Sequence, residues 1–286
     1  MNLNLEEIKK EKKIEELIRF GILNIDKPSG PTSFTISDYV RRKLKINKTS
    51  HAGTLDPAVS GVLPIMLGRA CRLSDYLMHK DKEYIGIMRV HKEVSRDELE
   101  KVITKFIGRI VQIPPLRSSV KRAERVREVK YFEILEIHNK DVLFKTLVEA
   151  GTYIRKICDD IGKEIGGAHM LELRRIRAGS FHEDSSVDLY KFDEAVDLYE
   201  KGEEQVLRNI IMPGEFVATT MRVAFIKENT LKKCLTGSPI FFYFLENREE
   251  VKKDEKIAVF LKKRFVGIYR VVLAGDVFAV PEFVFN

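Results

Sequence analysis

Cysteine is scarce in this sequence, and the few cysteines are far apart. The 286 residues include three of them, Cys71, Cys158 and Cys234, with no C-x-x-C spacing. This usage excludes a disulfide framework or a structural zinc site and fits a reducing compartment. No run approaches the ~20 apolar residues of a membrane span. Residues 1–20 mix five basic with five acidic side chains, unlike a signal peptide. We expect a cytoplasmic protein.

Sequence signatures of cofactor chemistry are missing as well. There is no cluster with metal-ligand spacing, no H-x-E with C-x-x-C deaminase signature and no glycine-rich phosphate loop. We therefore predict neither a cofactor nor a metal. The chain does have 44% hydrophobic residues, enough for a sizeable core, and a net charge of +7 that favours a polyanionic partner.

The order of predicted elements indicates an α+β fold around a mostly antiparallel sheet. From Arg222 onward, closely spaced strands rich in Val, Ile and Phe, including one over 238–246, predict a small β-barrel. Residues 45–61 are predicted to form one long polar loop. We divide the chain into an N-terminal extension (1–20) with one short charged helix, a catalytic domain (21–216) and a C-terminal domain (217–286).

Asp56 lies between Leu55 and Pro57 in the sequence HAGTLDPAVSG, residues 51–61. An acid with apolar neighbours on a loop shaped by glycine and proline has a fixed backbone and partly dry surroundings. Such a setting positions a carboxylate for reaction. An Asp-Pro pair also initiates turns, so the loop alone leaves both interpretations open.

This loop, together with ILNIDKPSGPTS before it, closely resembles the two N-terminal motifs of TruB-type pseudouridine synthases. KEY at 82–84 resembles the family segment that bears a base-stacking tyrosine. GTYIRKICDDIG and GAHMLELRR resemble the third motif. The motifs follow one another in the family's order over roughly residues 21–185. The resemblance implies an isomerase that converts uridine in RNA to pseudouridine, with Asp56 as its catalytic residue.

The resemblance also assigns residues to the RNA. Arg155 maps onto the arginine of the third motif, and we expect it to pair with Asp56 in a largely dehydrated site. Tyr84 maps onto the tyrosine that stacks on the extruded base. His51 maps onto a family residue whose side chain inserts into the RNA base stack, at the place that the extruded base leaves. For these three residues the plainer alternatives are a phosphate-contacting surface arginine, a core aromatic residue and a solvated loop histidine.

Four further residues complete the predicted site. Tyr153 and Leu173 map onto aromatic and apolar positions that line the family's pocket, although either could simply be core. Lys27 and Pro28 are expected to shape the first turn and support the loop, without a part in the chemistry.

Three basic segments, residues 41–48, 117–130 and 173–177, fit phosphate contacts with RNA. The segment from about 219 to 286 loosely resembles a PUA domain. The short stretch between Lys82 and Arg122 and the N-terminal extension resemble the archaeal branch related to dyskerin.

That branch implies the catalytic subunit of a box H/ACA ribonucleoprotein. Its partners would be a guide RNA, an rRNA or tRNA substrate and small accessory proteins. Two alternatives stay open: a stand-alone synthase acting on uridine 55 of tRNA, and a non-catalytic RNA-binding scaffold.

Overall fold

The fold is built around two β-sheets. A computed structural model of the chain describes residues 3–113, 123–247 and 250–286. Within these ranges the larger sheet has ten strands and the smaller has five. The strands of the larger sheet are β1 (Gly21–Lys27), β2 (Thr49–His51), β3 (Ser60–Leu67), β4 (Lys82–Val90), β5 (Gly108–Gln112), β6 (Arg125–His138), β7 (Asp141–Val148), β8 (Ala168–Ala178), β9 (Phe181–His182) and β10 (Ile211–Pro213).

One parallel contact interrupts the otherwise antiparallel pairing of the larger sheet. Its order is β10-β1-β3-β8-β4-β7-β6-β5, with β2 beside β3 and β9 beside β8. Strands β3 and β8 run parallel where Ser60 and Gly61 face Arg174 and Arg175. Gly61 has a φ of 101°, and a Cβ there would lie 2.2 Å from the Arg175 carbonyl oxygen, so glycine is required. The predicted α+β class with a mostly antiparallel sheet is confirmed.

The smaller sheet curls into half a barrel, which agrees with the small C-terminal β-barrel expected from the sequence. Its strands are β11 (Arg222–Phe225), β12 (Ile240–Phe241), β13 (Lys256–Leu261), β14 (Arg264–Ala274) and β15 (Val277–Val284), in the order β11-β13-β14-β15-β12. The strand predicted over 238–246 is wrong for most of its length, because a 3-10 helix, Phe242–Phe244, follows β12 directly. There the rings of Tyr243 and Phe244 pack edge to face, with centroids 4.8 Å apart.

Short helices connect and cover the sheets. They are α1 (Leu5–Glu11), α2 (Ile14–Arg19), α3 (Ser33–Lys43), α4 (Ser74–Met78), α5 (Arg96–Thr104), α6 (Ile154–Ile165), α7 (Leu189–Glu200), α8 (Gln205–Ile210) and α9 (Leu231–Leu235). Thr32 Oγ1 accepts from the Thr35 N–H at 3.0 Å and starts α3, while Gly166, with a φ of 86°, ends α6. In the described ranges no helix is both long and apolar enough to cross a membrane.

The N-terminal residues link the two sheets. The single helix predicted there is two helices, α1 and α2. The Phe20 ring stacks on Phe285 with centroids 4.0 Å apart, and Phe20 shares one apolar cluster with Phe265 of the smaller sheet. Lys12 Nζ lies 2.6 Å from a carboxylate oxygen of Glu215, whose side chain is almost fully buried. Residues 3–20 therefore form part of a shared core.

Candidate active site

The backbone around Asp56 is fixed from both sides. Residues 45–61, predicted to be one loop, include strand β2, which pairs with β3 and shortens the loop to residues 52–59. The Leu55 N–H donates to Ser33 Oγ at 2.8 Å, and the Val59 N–H donates to the Asp56 carbonyl at 3.0 Å. Leu55 and Val59 are buried in the apolar cluster that also contains Tyr84. The loop is therefore anchored through its apolar residues, and the Asp56 side chain faces outward.

Asp56 and Arg155 form an ion pair. Arg155 is the second residue of α6, and its Nη1 lies 3.1 Å from Asp56 Oδ2. The two side chains are 42% and 43% exposed, respectively. The pairing expected from the sequence is present, but the expectation of a largely dehydrated pair is wrong. Because solvent screens exposed charges, this contact orients the carboxylate and adds little to stability.

Three buried cations lie beneath the loop. The Arg175 side chain is almost fully buried; its Nε donates to the Val62 carbonyl at 2.7 Å and its Nη2 to the Gly53 carbonyl at 3.0 Å. Lys27, also fully buried, donates from Nζ to the carbonyls of Pro28, Pro31 and Pro57 at 2.8, 2.8 and 3.0 Å.

The third cation, Lys82, donates to the carbonyls of Met78 and Lys80. Across the described ranges, none of the three cations forms an ion pair with an acid. Main-chain carbonyls therefore satisfy these buried charges, and two of the cations, Arg175 and Lys27, hold the loop that carries Asp56.

The electrostatics of these groups follow from burial and mutual repulsion. Burial, followed by the charge of Arg175, lowers the pKa of Lys82 to about 7. The same two causes lower the pKa of Lys27, although the Asp56 carboxylate partly opposes them. Burial and Arg175 also lower the pKa of His51. The site therefore combines a strong positive field with a histidine held toward its neutral form.

Tyr84 and Leu173 lie together in the apolar cluster under the loop. Each is less than a tenth exposed. Tyr84 is opposite Arg175 across the β4–β8 pair, and the two side chains interact. Leu173 is opposite Gly86, where a Cβ would lie 2.8 Å from a Leu173 methyl carbon. The absence of a side chain at residue 86 therefore leaves room for Leu173 between the strands.

His51 and Tyr153 lie at the edges of this region. His51 is the last residue of β2, and its buried Nδ1 has no hydrogen-bond partner in the described structure. Tyr153 directly precedes α6, where its N–H and carbonyl bond to the Gln112 side-chain amide at 3.0 and 3.1 Å. Gln112 is buried, so it fixes the start of the helix that carries Arg155.

Sequence reasoning missed Arg175, Lys82 and Gln112. Arg175 was counted in the basic segment 173–177, but strand alternation puts residues 173 and 175 on one face of β8. That alternation, applied once Leu173 is assigned to the pocket, would have found Arg175. No sequence signal identifies Gln112, because its role depends on a contact across 41 residues.

The segment 173–177 offers no free positive charge, contrary to the expectation from sequence. Arg174 pairs with Asp26 at 2.8 Å and Arg177 with Glu83 at 3.0 Å, while Arg175 is buried. Acids likewise neutralise most of the segment 41–48, where Lys48 keeps a free ammonium group among the described residues. In the third segment, residues 117–122 lie outside the described residues.

Family models match the region that contains this site. The model described as TruB family pseudouridylate synthase (N terminal domain) matches residues 41–154, which include Asp56. The model described as tRNA pseudouridylate synthase B C-terminal domain matches residues 155–218. The chain belongs to the TruB family. It is therefore a pseudouridine synthase, an RNA isomerase, as the sequence motifs indicated.

Archaeal members of the TruB family resemble the chain over most of its length. A probable tRNA pseudouridine synthase B of Archaeoglobus fulgidus is 44% identical over 277 residues, covering 94% of this chain and 84% of the relative. A protein with the same description from Thermococcus kodakarensis is 41% identical, covering 91% of this chain and 78% of the relative.

Solved structures agree with the predicted branch of the TruB family. A Cbf5-Nop10-Gar1 complex matches with a TM-score of 0.88 and 36% identity, covering 96% of this chain and 88% of the solved one. A chain in an H/ACA ribonucleoprotein bound to a substrate RNA containing 2'-deoxyuridine matches with a TM-score of 0.88 and 34% identity, covering 97% and 89%. The predicted resemblance to the archaeal branch related to dyskerin is confirmed.

Proposed function

We propose that this chain is the catalytic subunit of a guided RNA pseudouridine synthase in which Asp56 carries the chemistry. The observation that supports this most is the contact of 3.1 Å between Asp56 and Arg155, made by a carboxylate on a loop with a fixed backbone. A carboxylate held in one orientation has already lost the conformational entropy that a free side chain would lose on reaction. The loop thus positions Asp56 before RNA arrives.

The reaction rearranges bonds within one nucleotide. The bond between uracil N1 and the ribose C1′ breaks, the base turns, and C5 bonds to C1′. The C5 proton then leaves, and N1 carries a proton in the product, so the atoms balance without a cofactor. Attack on the base, attack on the sugar and removal of the C5 proton each use an ionised carboxylate. Arg155 Nη1, 3.1 Å from Asp56 Oδ2, holds the carboxylate in place.

The surrounding residues are proposed to receive the extruded uridine. Tyr84 supplies a flat ring for the base, and Leu173 and Tyr153 complete an apolar lining. His51, at the end of β2, would fill the gap that the base leaves in the RNA stack. Lys27 and Pro28 support the loop. Lys27 Nζ donates to the carbonyl of Pro28, in the turn after β1, and to the carbonyl of Pro57, within the loop.

Guidance by a second RNA follows from the branch of the family. The matched solved structures include an H/ACA ribonucleoprotein with substrate RNA and complexes with Nop10 and Gar1, and we propose equivalent partners here. We assign residues 21–216 to catalysis and 217–286 to RNA binding, with residues 1–20 as an extension. We propose a cytoplasmic location, because the three cysteines are few and far apart, as is usual in a reducing compartment.

A single-turnover assay tests guidance directly. The chain and its accessory proteins would be given one target RNA with a matched H/ACA guide, a scrambled guide or no guide. Fast pseudouridine formation with the matched guide alone supports the proposal. Equal rates in all three arms would leave a stand-alone enzyme.

The stand-alone alternative has its own support, because the archaeal relatives are described as probable tRNA pseudouridine synthases B. Parallel assays on tRNA would measure conversion at uridine 55 without a guide. Rapid conversion there, together with slow conversion of guide-matched RNA, would favour this alternative.

A further inference from the structure

A basic cavity lies at the start of β2, at the other end of this strand from His51. Its volume is about 480 Å³, which is large enough for a nucleotide-sized group. Four cations line the cavity together with one acid, Glu15. The four cations are Arg19, Lys45, Lys48 and Arg69.

The cations converge from separate parts of the chain. Arg19 ends α2, Lys48 immediately precedes β2, and Arg69 is the second residue of a 3-10 helix, Gly68–Leu73, that follows β3 directly. The Gly68 N–H donates to the Lys48 carbonyl at 3.0 Å. A Cβ on Gly68, whose φ is 52°, would lie 2.5 Å from the Arg19 carbonyl oxygen. Tight backbone packing thus fixes the three segments together and builds the cavity.

Much of this positive charge has no acidic partner. Among the described residues, Arg19 and Lys48 form no ion pair. Lys45 pairs with Glu200 at 2.7 Å. The Arg69 guanidinium bonds to the main-chain carboxylate oxygen of Asn286, the last residue in the sequence, and lies 4.5 Å from the Phe285 ring centroid. Burial, followed by the charges of Arg19 and Arg72, lowers the pKa of Arg69, so these cations repel one another. An anion in the cavity would relieve that repulsion.

The cavity lies close in the chain to His51 of the candidate active site. Lys48 and His51 are three residues apart, with Thr49–His51 extended as β2, which corresponds to about 10 Å. An RNA strand whose target base enters beside Asp56 therefore has its neighbouring backbone within reach of the cavity. We propose that this cavity binds phosphate groups of RNA a few nucleotides from the target uridine. This inference rests on the proposed function.

The test uses RNA binding by the full chain, measured by fluorescence anisotropy of a labelled target RNA over a range of KCl concentrations. Each phosphate contact adds about 0.7 to the slope of log K against log salt for single-stranded RNA. Lys48→Gln should weaken binding and lower the slope by about that amount, whereas Lys48→Arg should preserve it. Combining Lys48→Gln with Arg19→Gln should lower the slope further.

The matched control is Lys191→Gln, which removes one exposed ammonium group that has no ion-pair partner in the described structure. It should leave the slope unchanged. Equal slopes for the wild type and Lys48→Gln, or equal losses in Lys48→Gln and Lys191→Gln, would overturn the cavity as a phosphate site. Both lysines are exposed, so folding is preserved.

Pseudouridine formation by the wild type, assembled with its accessory proteins and a matched guide RNA and measured in parallel, separates the two proposals. A changed slope without any product would refute the enzymatic function and leave the phosphate site intact. Product formation by the wild type, together with a salt slope that Lys48→Gln leaves unchanged, would support the enzymatic function and refute the phosphate site.

Discussion

Arg175, buried in the core, donates to the carbonyl of Gly53 in the loop that carries Asp56, at 3.0 Å. The same guanidinium bonds to Val62 in β3 at 2.7 Å, so one side chain joins the loop to the strand that follows it. Lys27 holds the loop in the same way through Pro57. Buried cations commonly pair with acids, whereas these two bond to the main chain. The loop geometry therefore depends on them.

Replacing Arg175 with Met should both destabilise the protein and slow the reaction. The carbonyls of Gly53 and Val62 would each lose a donor, and an unsatisfied buried acceptor costs about 1–3 kcal/mol. We expect a melting temperature lower by several degrees and a reduced kcat at temperatures where the variant is folded. Arg89→Met is the control, because Arg89 is partly exposed and pairs with Asp141 at the far end of β4. Unchanged kcat in the folded variant would mean that Arg175 does not position the loop.

Asp56→Asn should abolish pseudouridine formation while RNA affinity stays near that of the wild type. The amide keeps the shape of the side chain but removes its charge and nucleophilicity. Because Asp56 is 43% exposed, the melting temperature should change little. Single-turnover rates and the dissociation constant for the same RNA check this. A rate within tenfold of the wild type would remove Asp56 from the chemistry.

Arg155→Ala should reduce activity with little loss of stability. The exposed pair with Asp56 contributes at most about 1 kcal/mol, so a large fall in melting temperature is not expected. The carboxylate would lose its orientation, which lowers kcat. Arg155→Lys keeps the charge without the guanidinium fork and should recover part of the rate. Wild-type kcat in both variants would show that the contact is incidental.

Glu83 allows a separate test of protein stability. It lies on β4 next to Tyr84, on the opposite face of the strand. Burial alone would raise its pKa, but hydrogen bonds from Tyr131, Arg177 and Lys145 outweigh burial and lower the pKa to about 2. A lowered carboxyl pKa stabilises the folded state above the unfolded value of about 4.5, and this contribution fades as pH falls toward 2.

Glu83→Gln should therefore lower the free energy of unfolding at pH 7 by up to about 3 kcal/mol. Denaturant unfolding at pH 7 and pH 3 measures the difference, which should narrow at the lower pH. A difference that is independent of pH would contradict this account.

Local sequence patterns predicted much of the fold and part of the site. Alternation and caps predicted most strands and helices, and the HAGTLDP motif with GTYIR predicted the contact between Asp56 and Arg155. The exposure of that pair could not be predicted, because it depends on where α6 lies relative to the loop. The free charge of the basic segments was overestimated for a related reason. The acids that neutralise Lys43 and Lys45 lie on α7, more than 150 residues away.

Lys82 gives a prediction at higher pH. Burial, followed by the Arg175 charge, lowers its pKa from about 10.5 to about 7. Between these values the unfolded chain binds more protons at residue 82 than the folded chain does. The free energy of unfolding should therefore rise with pH over this window, by up to about 1.4 kcal/mol per pH unit. Below pH 7 both states are protonated, and the contribution is constant.

Lys82→Met removes this titration and should flatten the rise. Urea unfolding of both proteins from pH 6.5 to 9.5 gives the comparison, with Lys191→Met as the control because Lys191 is exposed. The wild type should gain stability relative to Lys82→Met as pH increases, and Lys191→Met should follow the wild type. Parallel curves for the wild type and Lys82→Met would mean that Lys82 keeps its charge throughout the range. In that case its bonds to Met78 and Lys80 fully compensate its burial.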